Sequence, residues 1–231
     1  TVLAQKSTHA NAILKSDPYV SDVIEFDSKE IKGFFNIIKK IKPRHFSQSY
    51  IFSDSTRLYL ISKLAGIEDI FHYRFFSKKG KNFFKTAKEF TEKTLNVKIE
   101  SRSKIYFNKD EIEVAKRKYN ITDETKNLIC GISASGFSKK WPVNNYIELF
   151  EKLDSKFRCR FFLAGGPKDE DLIRKVTNSS IGKNCISFSK MTIAQTIPII
   201  AACNYCISND TGFGHLSAGL GCKTLMLFID S

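Results

Sequence analysis

The stretch YCISNDTGFGHLSAGL, residues 205–220, passes from a short apolar run through a polar turn into a second apolar segment. The run at its start predicts a buried strand, and the segment at its end predicts a helix. Similar changes follow the apolar runs at 128–133, 161–164 and 185–188. Strands that alternate with helices in this way indicate a parallel sheet covered by helices on both faces. The sequence therefore predicts an α/β fold.

The first half of the chain alternates in the same way but less regularly. Ser28 can cap a helix that continues to Ile41, and a polar stretch at 119–126 then precedes the more regular second half. We therefore expect two α/β units, at residues 1–125 and 126–231. The chain opens and closes on apolar, strand-like runs. Both units are accordingly expected to be truncated, as in an internal fragment of a longer protein.

Composition narrows the class of protein. Hydrophobic residues make up 42% and charged residues 26% of the 231 residues, which excludes a disordered tail, collagen and a coiled coil. No apolar run approaches the roughly 18–20 residues that a membrane-spanning helix needs. The net charge of +13 predicts attraction to phosphates, nucleic acid or an anionic membrane surface.

The six cysteines all lie in the second half, mostly inside apolar runs, where thiols usually act as small buried hydrophobes. Cys203 and Cys206 form a C-x-x-C pair, which could be redox-active or half of a zinc site. The sequence has no second such pair. We therefore favour a core role for these thiols.

In parallel α/β sheets, ligands bind where strands end and loops enter helices. The first such loop, residues 133–142, contains Ser135, Gly136, Lys139 and Lys140. Small residues let backbone N–H groups approach a phosphate, and a lysine supplies the compensating charge. The alternative is an exposed loop with two solvated lysines, but its place directly after a strand favours phosphate binding.

The second and third loops give weaker signals. In the sequence GGPKDE, residues 165–170, a carboxylate from Asp169 or Glu170 could accept hydrogen bonds from ribose hydroxyls. Acidic residues that merely stabilise a helix N-terminus explain this loop equally well. In the third loop, Met191 could belong to the core or lie against a nucleotide base, and the core is favoured.

The fourth loop, residues 208–216, is the most informative. Thr211 and Gly212 lie where the helix begins, so backbone amides there would form an anion site. His215 lies about one turn further on and could donate to a phosphate or sugar oxygen. A structural histidine and a helix-capping Asp210 are the alternatives, but the convergence of these residues after a buried strand favours binding.

The sequence lacks several standard sites. It has no P-loop, no dinucleotide-binding glycine motif after a strand, no nucleophile elbow and no H-E-x-x-H pair. The D-x-D match at Asp169-Glu170-Asp171 lies at an expected helix start, where acidic residues are favoured, and does not suggest a metal-held diphosphate. The groups expected to neutralise a phosphate are therefore lysines and helix N-termini, which is consistent with a metal-independent mechanism.

Together the motifs resemble one family. The elements are the serine-rich loop with Lys139-x-Trp141-Pro142, the pair Gly165-Gly166 with a following Glu, and Asn209-Asp210-Thr211-Gly212-x-x-His215-Leu216. They resemble the ADP-heptose:lipopolysaccharide heptosyltransferases, glycosyltransferase family 9. The resemblance implies a GT-B fold, in which two Rossmann-like domains with parallel sheets face each other. It also implies an inverting, metal-independent transfer without a cofactor.

The resemblance assigns roles to individual residues. Lys139 would neutralise the diphosphate, and Glu170 or Asp169 would hold the ribose. Thr211 and Gly212 would bond phosphate through their amides, Asp210 and His215 would place the sugar or phosphate, and Met191 would lie near the adenine. The implied nucleotide-sugar-binding set is Ser135, Lys139, Glu170, Met191, Asp210, Thr211, Gly212 and His215. The catalytic residue stays unknown, because the family's base is expected before Thr1.

The implied partners are an ADP-sugar donor and a lipopolysaccharide core or lipid A-type acceptor, with no nucleic acid. The implied location is cytoplasmic and peripheral on the inner membrane, where basic residues including Lys78, Lys79, Lys81 and Lys85 would meet an anionic surface. Two alternatives remain open: a nucleotide-sugar epimerase of the same fold, and a basic nucleic-acid-binding module. The second has the charge but lacks any recognisable nucleic-acid-binding motif.

Overall fold

The computed structural model describes residues 1–27, 31–73, 83–99, 103–134, 136 and 139–228. The strands are β1 (Val2–Gln5), β2 (Val23–Phe26), β3 (Gln48–Ile51), β4 (Asp69–His72), β5 (Lys126–Gly131), β6 (Cys159–Ala164), β7 (Cys185–Ser187), β8 (Tyr205–Asn209) and β9 (Lys223–Leu227). The helices are α1 (Ala10–Ile13), α2 (Ile31–Ile41), α3 (Thr56–Leu64), α4 (Phe83–Leu95), α5 (Lys109–Tyr119), α6 (Val143–Asp154), α7 (Glu170–Thr177), α8 (Ile193–Ala202) and α9 (Gly212–Gly219).

The apolar runs of the second half form a parallel five-stranded sheet in the order β7-β6-β5-β8-β9. β5 is central, and its last residue, Gly131, is in register with Ala164 on one side and Ser208 on the other. Strands buried on both faces read as continuous apolar runs, which is why these segments were recognisable in the sequence. The predicted α/β fold with parallel strands is confirmed.

Helices cover this sheet on both faces. Alternate residues of a strand point to opposite faces, so Ile129 and Phe162 pack with residues of α8 and α9, whereas Leu128 and Phe161 pack with residues of α6 and α7. Phe161 stacks on Phe150 of α6 with ring centroids 4.3 Å apart. These two apolar layers hold the sheet rigidly and fix where its strands end.

Contacts divide the chain into two units. The larger unit comprises Thr1–Val2, His9–Val23 and Arg102–Ser231, and the smaller comprises Leu3–Thr8 and Ile24–Ser101. In the larger unit α1 and α5 both pack on α8, and the backbone N–H of Ile105 donates to the carbonyl of Gly219 at 2.8 Å. By its contacts, the segment 102–125 therefore belongs with the larger sheet. The domain boundary at residue 125 stays a prediction.

The smaller unit has two pairs of strands. β1 lies beside β2, and β3 pairs in parallel with β4, with Gln48 opposite Asp69. Its core is built from buried side chains of β2, α2 and α3, among them Ile24, Ile37 and Ile61. The predicted helix cap at Ser28 lies outside the described residues.

Two local features depart from simple sequence rules. α8 runs through Pro198 without a break, and it begins after Thr192, whose hydroxyl accepts the N–H of Gln195 at 3.3 Å. Asn144 or Asn145 would be expected to cap α6 from its residue type, but the helix begins at Val143 with Pro142 in the capping position.

Candidate functional site

The carboxyl ends of the five parallel strands bring the predicted loops to one edge of the sheet in the larger unit. From β5 the chain adds β6 and β7 on one side, and it then crosses to add β8 and β9 on the other. Such a reversal leaves a crevice between the loops that follow the two strands at the crossing point. The loops after β5 and β8 are therefore the expected centre of a ligand site.

The start of α9 carries two unused backbone donors. The carbonyl of Thr211 accepts the N–H of Gly214 at 3.1 Å and that of His215 at 3.4 Å. The N–H groups of Gly212 and Phe213 have no acceptor among the described residues. A Cβ placed on Gly212 would meet nothing within 4 Å, so there is room beside the first residue of the helix. This is the arrangement that binds an anion at a helix N-terminus.

The hydroxyl of Thr211 lies 3.1 Å from that of Ser208, which donates to the carbonyl of Asn209 at 2.7 Å. Ser208 is fully buried. A Cβ on Gly131 would come within 2.0 Å of its Oγ, so the neighbouring strand must carry glycine there. Thr211 therefore uses its side chain to fix the turn, which leaves backbone groups for a ligand.

Asp210 and His215 lie together beside this helix start. The Oδ1 atom of Asp210 is 3.5 Å from Nε2 of His215, and both side chains reach solvent. The sequence placed them in one motif, and the structure brings their side chains together. An exposed carboxylate and imidazole at this distance can orient hydroxyl groups of a sugar by donating and accepting hydrogen bonds.

The two lysines of the loop after β5 have different surroundings. Nζ of Lys140 lies 3.6 Å from Oδ1 of Asp169 in the loop after β6. Within the described chain, Lys139 makes no ion pair, and its side chain is half-buried. Ser135 lies outside the described residues. Lys139 is thus the lysine whose charge is available to a ligand.

The two acidic residues of the loop after β6 also differ in their hydrogen-bond and ion-pair partners. Oδ2 of Asp169 accepts the N–H of Gly166 at 3.0 Å, so this carboxylate fixes the turn as well as binding Lys140. Glu170 begins α7 and is exposed, and its side chain makes no hydrogen bond or ion pair with any described residue. Glu170 is therefore the carboxylate that is free to meet a ribose.

Met191 follows the strand β7 and is half-buried. Its side chain packs against the core layer that includes Phe188. Neither Met191 nor Glu170 contacts the start of α9 through a hydrogen bond or ion pair within the described residues. Their place near a nucleotide therefore stays a prediction.

Sequence reasoning placed Asn209, the last residue of β8, in the motif but assigned it no role. Its side chain is fully buried, and its Oδ1 accepts the backbone N–H of Trp141 at 3.2 Å, across the crossing point of the sheet. The signal was present in the sequence, because an amide at the end of an apolar strand must find partners when it is buried. Roles were assigned instead to the neighbouring Asp210 and Thr211.

The cysteines belong to the core, as the sequence favoured. Burial raises the pKa of each of the six thiols above its ordinary value. Cys203 and Cys206 are buried, and both are free thiols. Across the described part of the chain, no group of three His, Cys, Asp or Glu side chains could hold a metal ion.

Comparison with known proteins agrees with this geometry. The sequence profile of glycosyltransferase family 9 (heptosyltransferase) matches residues 78–231. Lipooligosaccharide heptosyltransferase 2 of Haemophilus ducreyi is 32% identical over 120 residues, which are 48% of this chain and 34% of that protein. The chain spans about a third of the length of the curated relatives it matches.

Two solved structures share the fold. The ADP-heptose lipopolysaccharide heptosyltransferase II of E. coli aligns with a TM-score of 0.78 at 18% identity, covering 95% of this chain and 72% of that one. A family 9 glycosyltransferase from Veillonella parvula aligns with a TM-score of 0.82 at 17% identity, covering 99% and 72%. The fold is therefore of the GT-B type found in heptosyltransferases. Since the family profile also matches more than half of the sequence, the chain belongs to glycosyltransferase family 9, the heptosyltransferases.

Proposed function

We propose that this chain supplies the nucleotide-sugar-binding part of an inverting, metal-independent glycosyltransferase. The enzyme would transfer a heptose or related sugar from an ADP-sugar to a lipopolysaccharide core acceptor. The observation that carries the proposal is the start of α9, where the N–H groups of Gly212 and Phe213 have no acceptor among the described residues. This helix start follows β8, and the loop that carries Lys139 follows the neighbouring strand β5. Family membership supports the reaction class.

These groups suit the charge that develops during the transfer. A bond forms between the acceptor oxygen and the anomeric carbon while the bond from that carbon to the diphosphate oxygen breaks. The acceptor's proton goes to a base, which we assign to no described residue, and the nucleotide diphosphate leaves with an added negative charge. The two N–H groups and the ammonium of Lys139 would stabilise this charge without rearranging.

The other predicted residues would bind the rest of the donor. The exposed carboxylate of Glu170 would accept hydrogen bonds from the ribose hydroxyls, and Met191 would lie against the adenine. Asp210 and His215 would orient the sugar. Ser135, outside the described residues, would add a contact to the phosphates.

The acceptor part of the proposal rests on charge. An anionic glycolipid at the inner face of the cytoplasmic membrane would attract a protein with a net charge of +13. In the smaller unit the end of α2 presents exposed Lys39, Lys40, Lys42 and Arg44, and Lys85 is exposed on α4. The predicted Lys78, Lys79 and Lys81 lie outside the described residues. Among the residues the structure describes, no helix has the length and apolarity to cross a membrane.

Calorimetric titration with ADP tests the donor site. We expect saturable binding that survives addition of a metal chelator and weakens in Lys139→Ala. Tight, salt-sensitive binding of RNA with no response to ADP would instead support a nucleic-acid-binding module.

A second assay tests the reaction in the intact enzyme. ADP-heptose is supplied with and without lipopolysaccharide core, and the products are analysed. Transfer that requires the acceptor is expected. Conversion of the sugar in the absence of acceptor would support an epimerase instead.

A further inference from the structure

The buried amide of Asn209 links both ends of the loop after β5 to the end of β8. Its Nδ2 donates to the carbonyls of Ile132 at 3.2 Å and Ser133 at 3.4 Å, where the loop begins. Its Oδ1 accepts the N–H of Trp141 at 3.2 Å, near where the loop ends. A carboxamide has two N–H groups and two acceptor positions. With one further bond from Tyr146, this side chain is fully used.

Tyr146 of α6 completes the arrangement. Its hydroxyl donates to Oδ1 of Asn209 at 3.1 Å, and the carbonyl of Gly131 lies 3.4 Å from the same hydroxyl. Burial raises the pKa of Tyr146 well above its ordinary value, so the hydroxyl keeps its proton and remains a donor. The ring of Trp141 meets that of Tyr146 edge-on, with centroids 4.8 Å apart at 77°.

These bonds fix one charged residue relative to one helix. Lys139 lies two residues before Trp141, and Asn209 lies three residues before Gly212, the first residue of α9. The amide therefore ties the backbone on both sides of Lys139 to the strand that leads into α9.

We propose that Asn209 and Tyr146 are positioning residues, which hold the loop so that Lys139 and the start of α9 meet one diphosphate. This inference rests on the proposed function and extends it to two buried residues that touch no ligand themselves. Pre-organised groups bind better because the ligand does not have to order them.

Trp141 provides a direct measurement, because it is the single tryptophan of the sequence and lies in this loop. Tyr146→Phe removes the hydroxyl and keeps the ring. We expect it to increase quenching of Trp141 fluorescence by acrylamide and to weaken ADP binding about threefold to tenfold. Tyr119→Phe, on the opposite face of the sheet, is the matched control and should change neither quantity. Asn209→Ala should have the larger effect, because four hydrogen bonds are lost.

A double-mutant cycle separates positioning from general destabilisation. ADP affinity is measured for Lys139→Ala, Tyr146→Phe and the double variant, with the unfolding midpoint followed by circular dichroism. If Tyr146 acts through Lys139, its substitution should change ADP affinity less than twofold in the Lys139→Ala background. An equal loss in both backgrounds would overturn the proposal, as would unchanged quenching of Trp141 in Tyr146→Phe. If the wild-type chain does not bind ADP, the proposed function fails, whereas the quenching experiment still decides whether Tyr146 holds the loop.

Discussion

Nζ of Lys140 lies 3.6 Å from Oδ1 of Asp169, so one of two adjacent lysines is already paired with a carboxylate before any ligand binds. The other, Lys139, has no such partner within the described part of the chain. Both members of the pair are partly exposed, and such pairs add little to stability. The main effect of the pair is to hold the loops after β5 and β6 together and to leave Lys139 as the available cation.

Lys139→Ala should weaken ADP binding more than Lys140→Ala. Loss of a charge-assisted contact to the diphosphate costs about 1.5–3 kcal/mol, which corresponds to roughly a tenfold to hundredfold rise in Kd. Lys140→Ala loses only a tether between loops, and we expect a change of less than about threefold. Calorimetric titration of both variants with ADP measures the two Kd values. Equal increases in Kd would contradict the different roles assigned to the two lysines.

Asp210→Ala should reduce sugar transfer by the intact enzyme at least about tenfold, because His215 loses the carboxylate 3.5 Å away that orients it. The measurement is the initial rate with saturating acceptor. Asp210→Asn, which keeps the shape and one acceptor oxygen, serves as the comparison. Activity near that of the wild type in Asp210→Ala would remove this residue from the site.

Gly131→Ala should destabilise the larger unit by about 2–3 kcal/mol, the upper part of the range for overpacked cores. The new methyl group would lie 2.0 Å from Oγ of Ser208, and both residues are buried in the middle of the sheet. Gly136→Ala is the control, since the nearest atom to its Cβ is 3.9 Å away. The free energy of unfolding in urea is the measurement, and equal values for the two variants would contradict the packing described.

Stability should fall in alkaline solution. Burial raises the pKa of Cys185 and Cys222 to about 12 in the folded chain, from an ordinary value of 9.0. The unfolded chain therefore releases these protons first as the pH rises. The stabilisation is complete below pH of about 8.5 and is lost toward pH 12, by up to about 1.4 kcal/mol per pH unit for each thiol.

Urea unfolding between pH of about 7.5 and 9.5 measures this slope. Cys222→Ala should make the slope shallower, because one of the titrating groups is gone. A free energy of unfolding that stays constant over the range would contradict the expectation. Rapid alkylation of Cys203 and Cys206 in the folded chain would in turn support the redox interpretation of their C-x-x-C spacing.

The parallel sheet of the larger unit could be predicted from the sequence, because each of its strands is a short apolar run that ends at a turn. The strand β3 could not be predicted, because Gln48 and Ser49 interrupt its apolar pattern and its partner β4 begins with Asp69. A proline inside a helix usually kinks it or shifts its start, yet α8 runs through Pro198 and begins after Thr192. Packing of α8 against the sheet and α5 outweighs one missing backbone hydrogen bond.

The candidate site was only partly accessible from sequence. The pattern around Asp210 and Gly212 marks a strand-to-helix turn, and that is local information. The resemblance selected Lys139 from its spacing to Trp141, but the ion pair that distinguishes Lys140 from it could not be predicted. That pair depends on Asp169, which lies about 30 residues away in the sequence and meets Lys140 only through the pairing of β5 with β6. The role of Asn209 likewise depends on the crossing point of the sheet, which no local pattern reveals.

The strand order has a practical consequence for anyone who wishes to alter the enzyme. The loops after β6 and β7, with Glu170 and Met191, lie on one side of β5, and α9 follows β8 on the other. In the proposed assignment, recognition of the nucleoside is thereby separated from handling of the diphosphate. Exchange of those two loops for loops from a relative with another nucleotide preference, with Asp169 retained as the partner of Lys140, would leave the Asn209 and Tyr146 bonds intact. The protein is in this sense modular, and its donor preference could be redesigned while its phosphate chemistry is kept.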